Sequence, residues 1–308
     1  MLRWLTDDRP ASRAARARML RMRALGRRRA FEGAEHSFRV ARRRQRRGDA
    51  APTLVTRARA RVVASRHDGM RVWTLTRRRR RPVARVVYLH GGGYLHPLTR
   101  DYWRLLRLLV DVPAEVVVPA YPLTPGATVD DVLPRLTSLA RDVTGGGLPT
   151  VVAGDSAGGA LALVVARAVH DPQASPVAGV VPLCPWLDVT LSQDEVADEV
   201  PEDPVLAPSG LRAAGGAWAG ERSTHDPAVS PMDLPLDGMP PIDLFIGDRD
   251  ILRPAVDELA RRAQGADVSL TVRESTAMFH VWMTQRIPEG RATRGAIVEL
   301  VRERAAKS

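Results

Sequence analysis

From residue 83 onward, short continuous apolar runs alternate with stretches in which apolar side chains recur every three or four positions. Continuous runs of this length suit strands buried on both faces, and the longer spacing suits amphipathic helices. Their alternation predicts a mostly parallel sheet covered by helices, an α/β architecture. The pattern predicts strands over 83–89, 115–119, 150–153, 179–183, 242–246 and 268–272. It predicts helices over 102–109, 129–143, 157–169, 254–264 and 291–304. Upstream, 61–64 and 70–76 read as antiparallel strands joined at Asp68-Gly69. Residues 1 to about 50 read as helical, with no proline between Pro10 and Pro52 and with Met19, Met22, Leu25, Phe31 and Phe38 near helical spacing. Two short basic helices are expected there, broken near Gly33 and ended near Gly48. Residues 191–238, rich in Pro, Gly and acids, interrupt the alternation as an irregular insertion beside the site. No internal repeat is present.

Charge changes this picture in one place. The net +11 averages a basic front and an acidic body: residues 1–82 hold 26 arginines against 6 acids, a net of +20, and the remainder is −9. Lys307 is the only lysine, so the arginine bias reads partly as genome composition. The front has few aromatics for base stacking and no nucleic-acid-binding module, so no nucleic acid is expected as a partner. Weak contact of residues 1–82 with an anionic membrane surface fits arginine faces with apolar backs. The longest apolar runs are too short to span a bilayer. The first ten residues lack a secretory pattern, and the single Cys184 excludes an internal disulfide and a cysteine-based zinc site, so a cytoplasmic protein is expected. Cys184 ends an apolar run and reads as a buried, inert thiol.

The chemistry gathers at the ends of predicted strands. Gly154-Asp155-Ser156-Ala157-Gly158-Gly159 follows one apolar strand and opens an apolar helix. A serine on such a sharp turn needs small neighbours, and it stands above the sheet at a helix N-terminus, where the Ala157 N–H can meet a developing oxyanion. His90-Gly91-Gly92-Gly93-Tyr94 follows an earlier strand, and its glycines let backbone N–H groups converge on one oxygen. The spacing matches neither a P-loop nor a dinucleotide fingerprint. A triad on this frame runs Ser, acid, His. Asp248 and Asp250 both follow the strand at 242–246, and His280, the only histidine after His225, lies behind the last strand.

With these residues in order, the chain resembles the hormone-sensitive-lipase-like α/β hydrolases, the bacterial esterases with His-Gly-Gly-Gly, from about Val83 to the C-terminus. Tyr121-Pro122-Leu123-Thr124-Pro125, Pro185-Trp186-Leu187-Asp188 and Ser230-Pro231 extend the likeness. The resemblance implies an α/β-hydrolase fold and a serine ester hydrolase. It implies Asp250 as the acid, Gly92, Gly93 and Ala157 as oxyanion donors, and no metal or organic cofactor. It also implies a division into residues 1–50, a helical cap with its apolar residues toward the pocket, and a catalytic domain over 51–308. Short to medium acyl esters are the expected substrates. An amide or formamide hydrolase keeps the same triad, a non-catalytic ligand receptor is a further alternative, and a homo-oligomer is open. Two departures stand out: the family's Tyr-Arg-Leu-Ala-Pro-Glu reads Tyr121-Pro-Leu-Thr-Pro-Gly126, and Pro254 replaces a common acid.

Overall fold

A computed structural model describes residues 1–173, 177–193 and 203–306. In chain order the strands are β1 (Leu2–Asp7), β2 (Ala60–His67), β3 (Met70–Arg77), β4 (Ala84–Leu89), β5 (Ala114–Ala120), β6 (Thr150–Asp155), β7 (Val177–Leu183), β8 (Ile242–Gly247) and β9 (Leu270–Ser275). The helices are α1 (Arg13–Ala24), α2 (Ala34–Gln45), α3 (Leu54–Arg59), α4 (Tyr102–Leu109), α5 (Val129–Thr144), α6 (Ala157–Val169), α7 (Pro208–Ala219), α8 (Arg253–Ala263) and α9 (Pro288–Ala306).

The nine strands form one sheet in the order β1-β9-β8-β7-β6-β4-β5-β3-β2. All neighbours from β1 to β5 run parallel; β3 is antiparallel to both β5 and β2. The β2–β3 hairpin turns through Asp68 and Gly69, both at positive φ (47° and 77°), as a two-residue connection requires. Every residue of β6 and β8 is buried. α6 is apolar almost all round and lies in the interior, because helices cover both faces of the parallel sheet.

Three expectations need correction. The first fifty residues are not all helical, since Leu2–Asp7 pairs in parallel with β9 and extends the sheet by a strand. Leu2 and Trp4 are partly buried while Arg3 and Leu5 are exposed, and the Trp4 indole donates to Glu274 Oε2 at 2.8 Å. Local composition favours helix here; the open edge of β9 decides for strand, a tertiary effect that overrides propensity. The insertion at 191–238 is not irregular throughout, because α7 and a 3-10 turn at Pro231–Asp233 lie within it; its residues 194–202 fall outside the described ones. The last strand also begins two residues later than its apolar run, with Val268 buried ahead of it.

Helices α1, α2 and α7 cluster over the carboxyl ends of the strands. A Cβ on Gly210 of α7 would stand 2.1 Å from the Phe31 carbonyl and 2.4 Å from Ser37 Oγ, so only glycine permits this crossing. Ser12 caps α1 and ties it to α9 through two hydrogen bonds to Glu289. No helix among the described residues is long and apolar enough to cross a membrane.

Candidate active site

The loops that follow β4, β6, β8 and β9 meet above one end of the sheet, the position where parallel α/β folds bind ligands. Ser156 sits between β6 and α6 with φ 54° and ψ −122°, a backbone that side-chain-bearing residues rarely adopt. Packing forces it. Its N–H donates to Leu183 O, and its carbonyl accepts from Gly159, Ala160 and Trp186. The flanking glycines follow from contact: a Cβ on Gly154 would lie 2.2 Å from Gly158 O, and one on Gly158 2.1 Å from Leu89 O. Tyr94, Cys184, Ala277 and Val281, all in the adjoining loops, also have positive φ. Each such residue costs about 1–3 kcal/mol and persists only where surrounding structure over-determines it.

His280 Nδ1 and Asp250 Oδ2 are 2.7 Å apart, with the histidine 6% and the aspartate 3% exposed. The other Asp250 oxygen accepts the Leu252 N–H. Asp248 uses its backbone N–H on Ser275 O and has no bond to His280, which separates the two acids that the sequence left open. The acid and histidine loops touch directly. Arg249 N–H donates to Met278 O, and a Cβ on Gly247 would stand 2.3 Å from that same carbonyl. Burial depresses the His280 imidazole, but the Asp250 charge and hydrogen bond outweigh it, helped by Asp203 and Asp155, and hold its pKa above the ordinary 6.5.

Asp203 is a residue that sequence reasoning missed. It is 1% exposed; Oδ1 accepts from Val205 N and Leu206 N, and Oδ2 from Ile251 N at 3.4 Å. One carboxylate thus joins a pocket wall to the loop that carries Asp250. Burial, with the neighbouring Asp250 charge, pushes its pKa up to about 7. Its only sequence signal is an acid before an apolar pair in the acid-rich insertion, where many acids look alike.

The loop of Gly91 to Gly93 is fastened from below. Asp155 Oδ1 accepts from Gly91 N (3.0 Å) and the Tyr88 hydroxyl (2.9 Å), and Oδ2 accepts from the Tyr102 hydroxyl (2.9 Å). Burial raises the Asp155 carboxyl to about 6 against these donors. A Cβ on Gly91 would stand 2.4 Å from Asp155 Oδ2, so glycine is obligatory. His90 stacks on Tyr121 (4.4 Å, 14°), whose hydroxyl donates to the His90 carbonyl, and His90 Nδ1 pairs with Gly91 O. Gly92 and Gly93 have φ of 116° and 61°. Among the described residues neither of their N–H groups donates to a protein acceptor. Tyr94 stacks on Trp218 of α7 (4.1 Å, 5°), and Phe31 lies so close that a Cβ on Gly93 would meet its ring at 2.9 Å.

These groups line one cavity of about 300 Å³, with Ser156, His280, Asp155 and Gly91 to Gly93 on its floor and Met22, Arg27, Phe31, Arg44, Val205 and Leu206 among its walls. Of the apolar residues expected to face it from the N-terminal segment, Met22 and Phe31 do so. Leu25 is instead 58% exposed, and Met19 is buried beside Arg249. Cys184, Asp250 and His280 hold three ligand-type atoms within 4.8 Å of one another. The imidazole and carboxylate are already bonded to each other, and burial keeps the thiol protonated, so the cluster is a poor cation cage. Cys184 accepts the Val281 N–H and props the histidine loop.

A family profile described as the alpha/beta hydrolase fold matches residues 86–284. An acetyl-hydrolase of Streptomyces hygroscopicus is 27% identical over 67% of this chain and 71% of its own length. A triacylglycerol lipase of Mycobacterium tuberculosis is 31% identical over 77% of this chain, which spans half the length of that relative. Among solved structures, the esterase EstE5 soaked with p-nitrophenyl butyrate superposes with a TM-score of 0.81 at 22% identity, over 94% of this chain and 98% of its own. An esterase of the bacterial hormone-sensitive lipase family superposes with a TM-score of 0.76 at 21% identity, over 94% and 98%. At these identities the two structures speak for the fold alone.

Proposed function

The chain belongs to the alpha/beta hydrolase fold family, and from that premise we propose that it is a serine carboxylic ester hydrolase working through an acyl-enzyme. Hydrolase chemistry of the esterase and lipase kind accords with relatives named acetyl-hydrolase, esterase and triacylglycerol lipase. The observation that carries the finer reading is the 2.7 Å His280–Asp250 pair opening into the same cavity as Ser156 on its strained turn.

The chemistry follows from the roles. Asp250 fixes the imidazole with Nδ1–H toward itself, leaving Nε2 to take the Ser156 proton as Oγ attacks the ester carbonyl. The N–H groups of Gly92, Gly93 and Ala157 hold the oxyanion. Asp155 keeps the first two in place through Gly91. His280 then protonates the alcohol, and water repeats the sequence on the acyl-serine. A cavity of about 300 Å³ suits a short to medium acyl ester. The segment over residues 1–50 acts as the cap, since Met22, Arg27, Phe31 and Arg44 form part of that cavity's wall.

A fluorophosphonate probe is the direct test. Labelling of the wild type and none of Ser156→Ala is expected, followed by turnover of 4-nitrophenyl esters that declines beyond medium acyl chains. Labelling that survives the substitution would overturn the nucleophile; an unlabelled wild type would point to a ligand receptor.

A further inference from the structure

The cavity has two unlike halves. Ser156 and the glycine run lie on its floor, whereas Arg27, from the 3-10 turn that follows α1, and Arg44, from α2, line its wall. Several other arginines of this protein sit on carboxylates: Arg59 on Asp111, Arg85 on Glu115, Arg222 on Asp130, Arg253 on Glu274. Among the described residues Arg27 and Arg44 form no ion pair and no side-chain hydrogen bond. Arg44 is half-buried, and its charge is opposed first by that burial and then by Arg27 and Arg47. The two acids on the same cavity wall are already engaged, Asp101 by Arg104 and Asp155 by two tyrosines and Gly91. Arg27 is exposed, whereas the half-buried Arg44 gives up hydration without gaining a carboxylate among the described residues, a cost that an anion in the cavity would offset.

A second observation points the same way. His96 lines this cavity, is 5% exposed, and has both ring nitrogens without a hydrogen-bond partner. It packs edge-on against Phe31 with ring centroids 5.1 Å apart. Burial, reinforced by the Arg44 charge, lowers its pKa to about 3, so the ring is neutral in ordinary buffers and presents one N–H donor and one acceptor. A buried polar ring with no partner inside a ligand cavity is a group awaiting one.

We propose that the ester hydrolysed here carries an anionic group, a carboxylate or a phosphate, on the arm that reaches the N-terminal helices, held by Arg27 and Arg44 with the His96 N–H beside them. This rests on the ester-hydrolase reading above and names the substrate class of that site. Guanidinium groups match such oxyanions through forked, charge-assisted hydrogen bonds, and a partly dehydrated cavity strengthens them.

The test compares matched ester pairs: mono-(4-nitrophenyl) glutarate against its methyl ester, and 4-nitrophenyl 4-phosphonobutyrate against its dimethyl ester. For at least one pair the wild type is expected to favour the anionic member by about tenfold or more in kcat/KM, and which pair does so separates a carboxylate from a phosphate ligand. The preference is expected to shrink at high ionic strength, to fall in Arg44→Gln, to return partly in Arg44→Lys, and to approach unity in the Arg27→Gln/Arg44→Gln double variant. Equal turnover of both members of each pair by the wild type, or a preference that the double variant keeps, overturns the anion site and leaves the ester-hydrolase reading standing. Turnover of no ester at all would overturn that reading and this one with it.

Discussion

The floor of the site and the helices above it are built under opposite constraints. On the floor, backbone packs on backbone: added Cβ atoms at Gly91, Gly154, Gly158 and Gly247 would stand 2.1–2.4 Å from carbonyl or carboxylate oxygens. Several polar groups there are buried and bonded to one another, as in the fan of Tyr88, Tyr102 and Gly91 on Asp155. In α1 and α2 the buried side chains are few (Ala15, Met19, Met22, Ser37 and Ala41), and arginines are the commonest of the rest. A reaction centre tolerates almost no displacement, whereas a wall that chooses among substrates needs only the right charge and volume. On the ester-hydrolase reading, reaction type and substrate choice reside in different layers of this molecule.

Asp250→Asn is expected to lower kcat by about 10⁴-fold with little change in expression or melting, since the imidazole loses its tautomer and its counter-charge; steady-state kinetics and a thermal melt check both halves. Gly158→Ala should cost about 3 kcal/mol of stability, because its methyl would meet Leu89 O and His90 O inside the sheet–helix contact; denaturant unfolding measures it. Tyr102→Phe removes one donor from Asp155 and loosens the oxyanion loop, for an expected fall of about tenfold in kcat at nearly constant KM.

Asp203→Asn tests a positioning role rather than a step in the reaction. His280 must be neutral to act as base, and its pKa stands above 6.5 partly because of the Asp203 charge. With its own pKa pushed up to about 7, Asp203 carries that charge only in part there, so its removal should move the acid limb of the kcat/KM–pH profile slightly to lower pH; a purely structural role for Asp203 would leave the limb where it is. The smallest effect is expected on the outer face of the helices. Leu20, 65% exposed, should accept serine with less than about 0.5 kcal/mol of change in unfolding free energy.

Much of this was written locally. The boundaries of α4 and α6 coincide with those read from apolar spacing, because each buries an uninterrupted apolar stripe between strong turn signals. The turn at Ser156 was legible because only small residues fit around such a serine, which turns a steric demand into a five-residue word. Asp250 was separable from Asp248 only through family resemblance; in the fold, Asp250 is the one hydrogen-bonded to His280. Leu2–Asp7 misled because six residues of helix-compatible composition cannot announce a strand whose partner lies about 270 positions away. Asp203 was invisible for the same reason, since its significance is its contact with loops at 205–206 and 250–251.

Local pattern carries the alternating sheet and helices, the glycine-framed serine and the order of serine, acid and histidine. Periodicity and steric exclusion act between near neighbours and therefore leave a local mark. Only the tertiary structure decided that β1 closes the edge beyond β9, that Asp155 braces Gly91, that Asp203 stands behind Asp250, and that Arg27, Arg44 and His96 share the cavity of Ser156. Those facts are distances between residues far apart in the chain, fixed by burial and packing of the whole, and no local pattern encodes them.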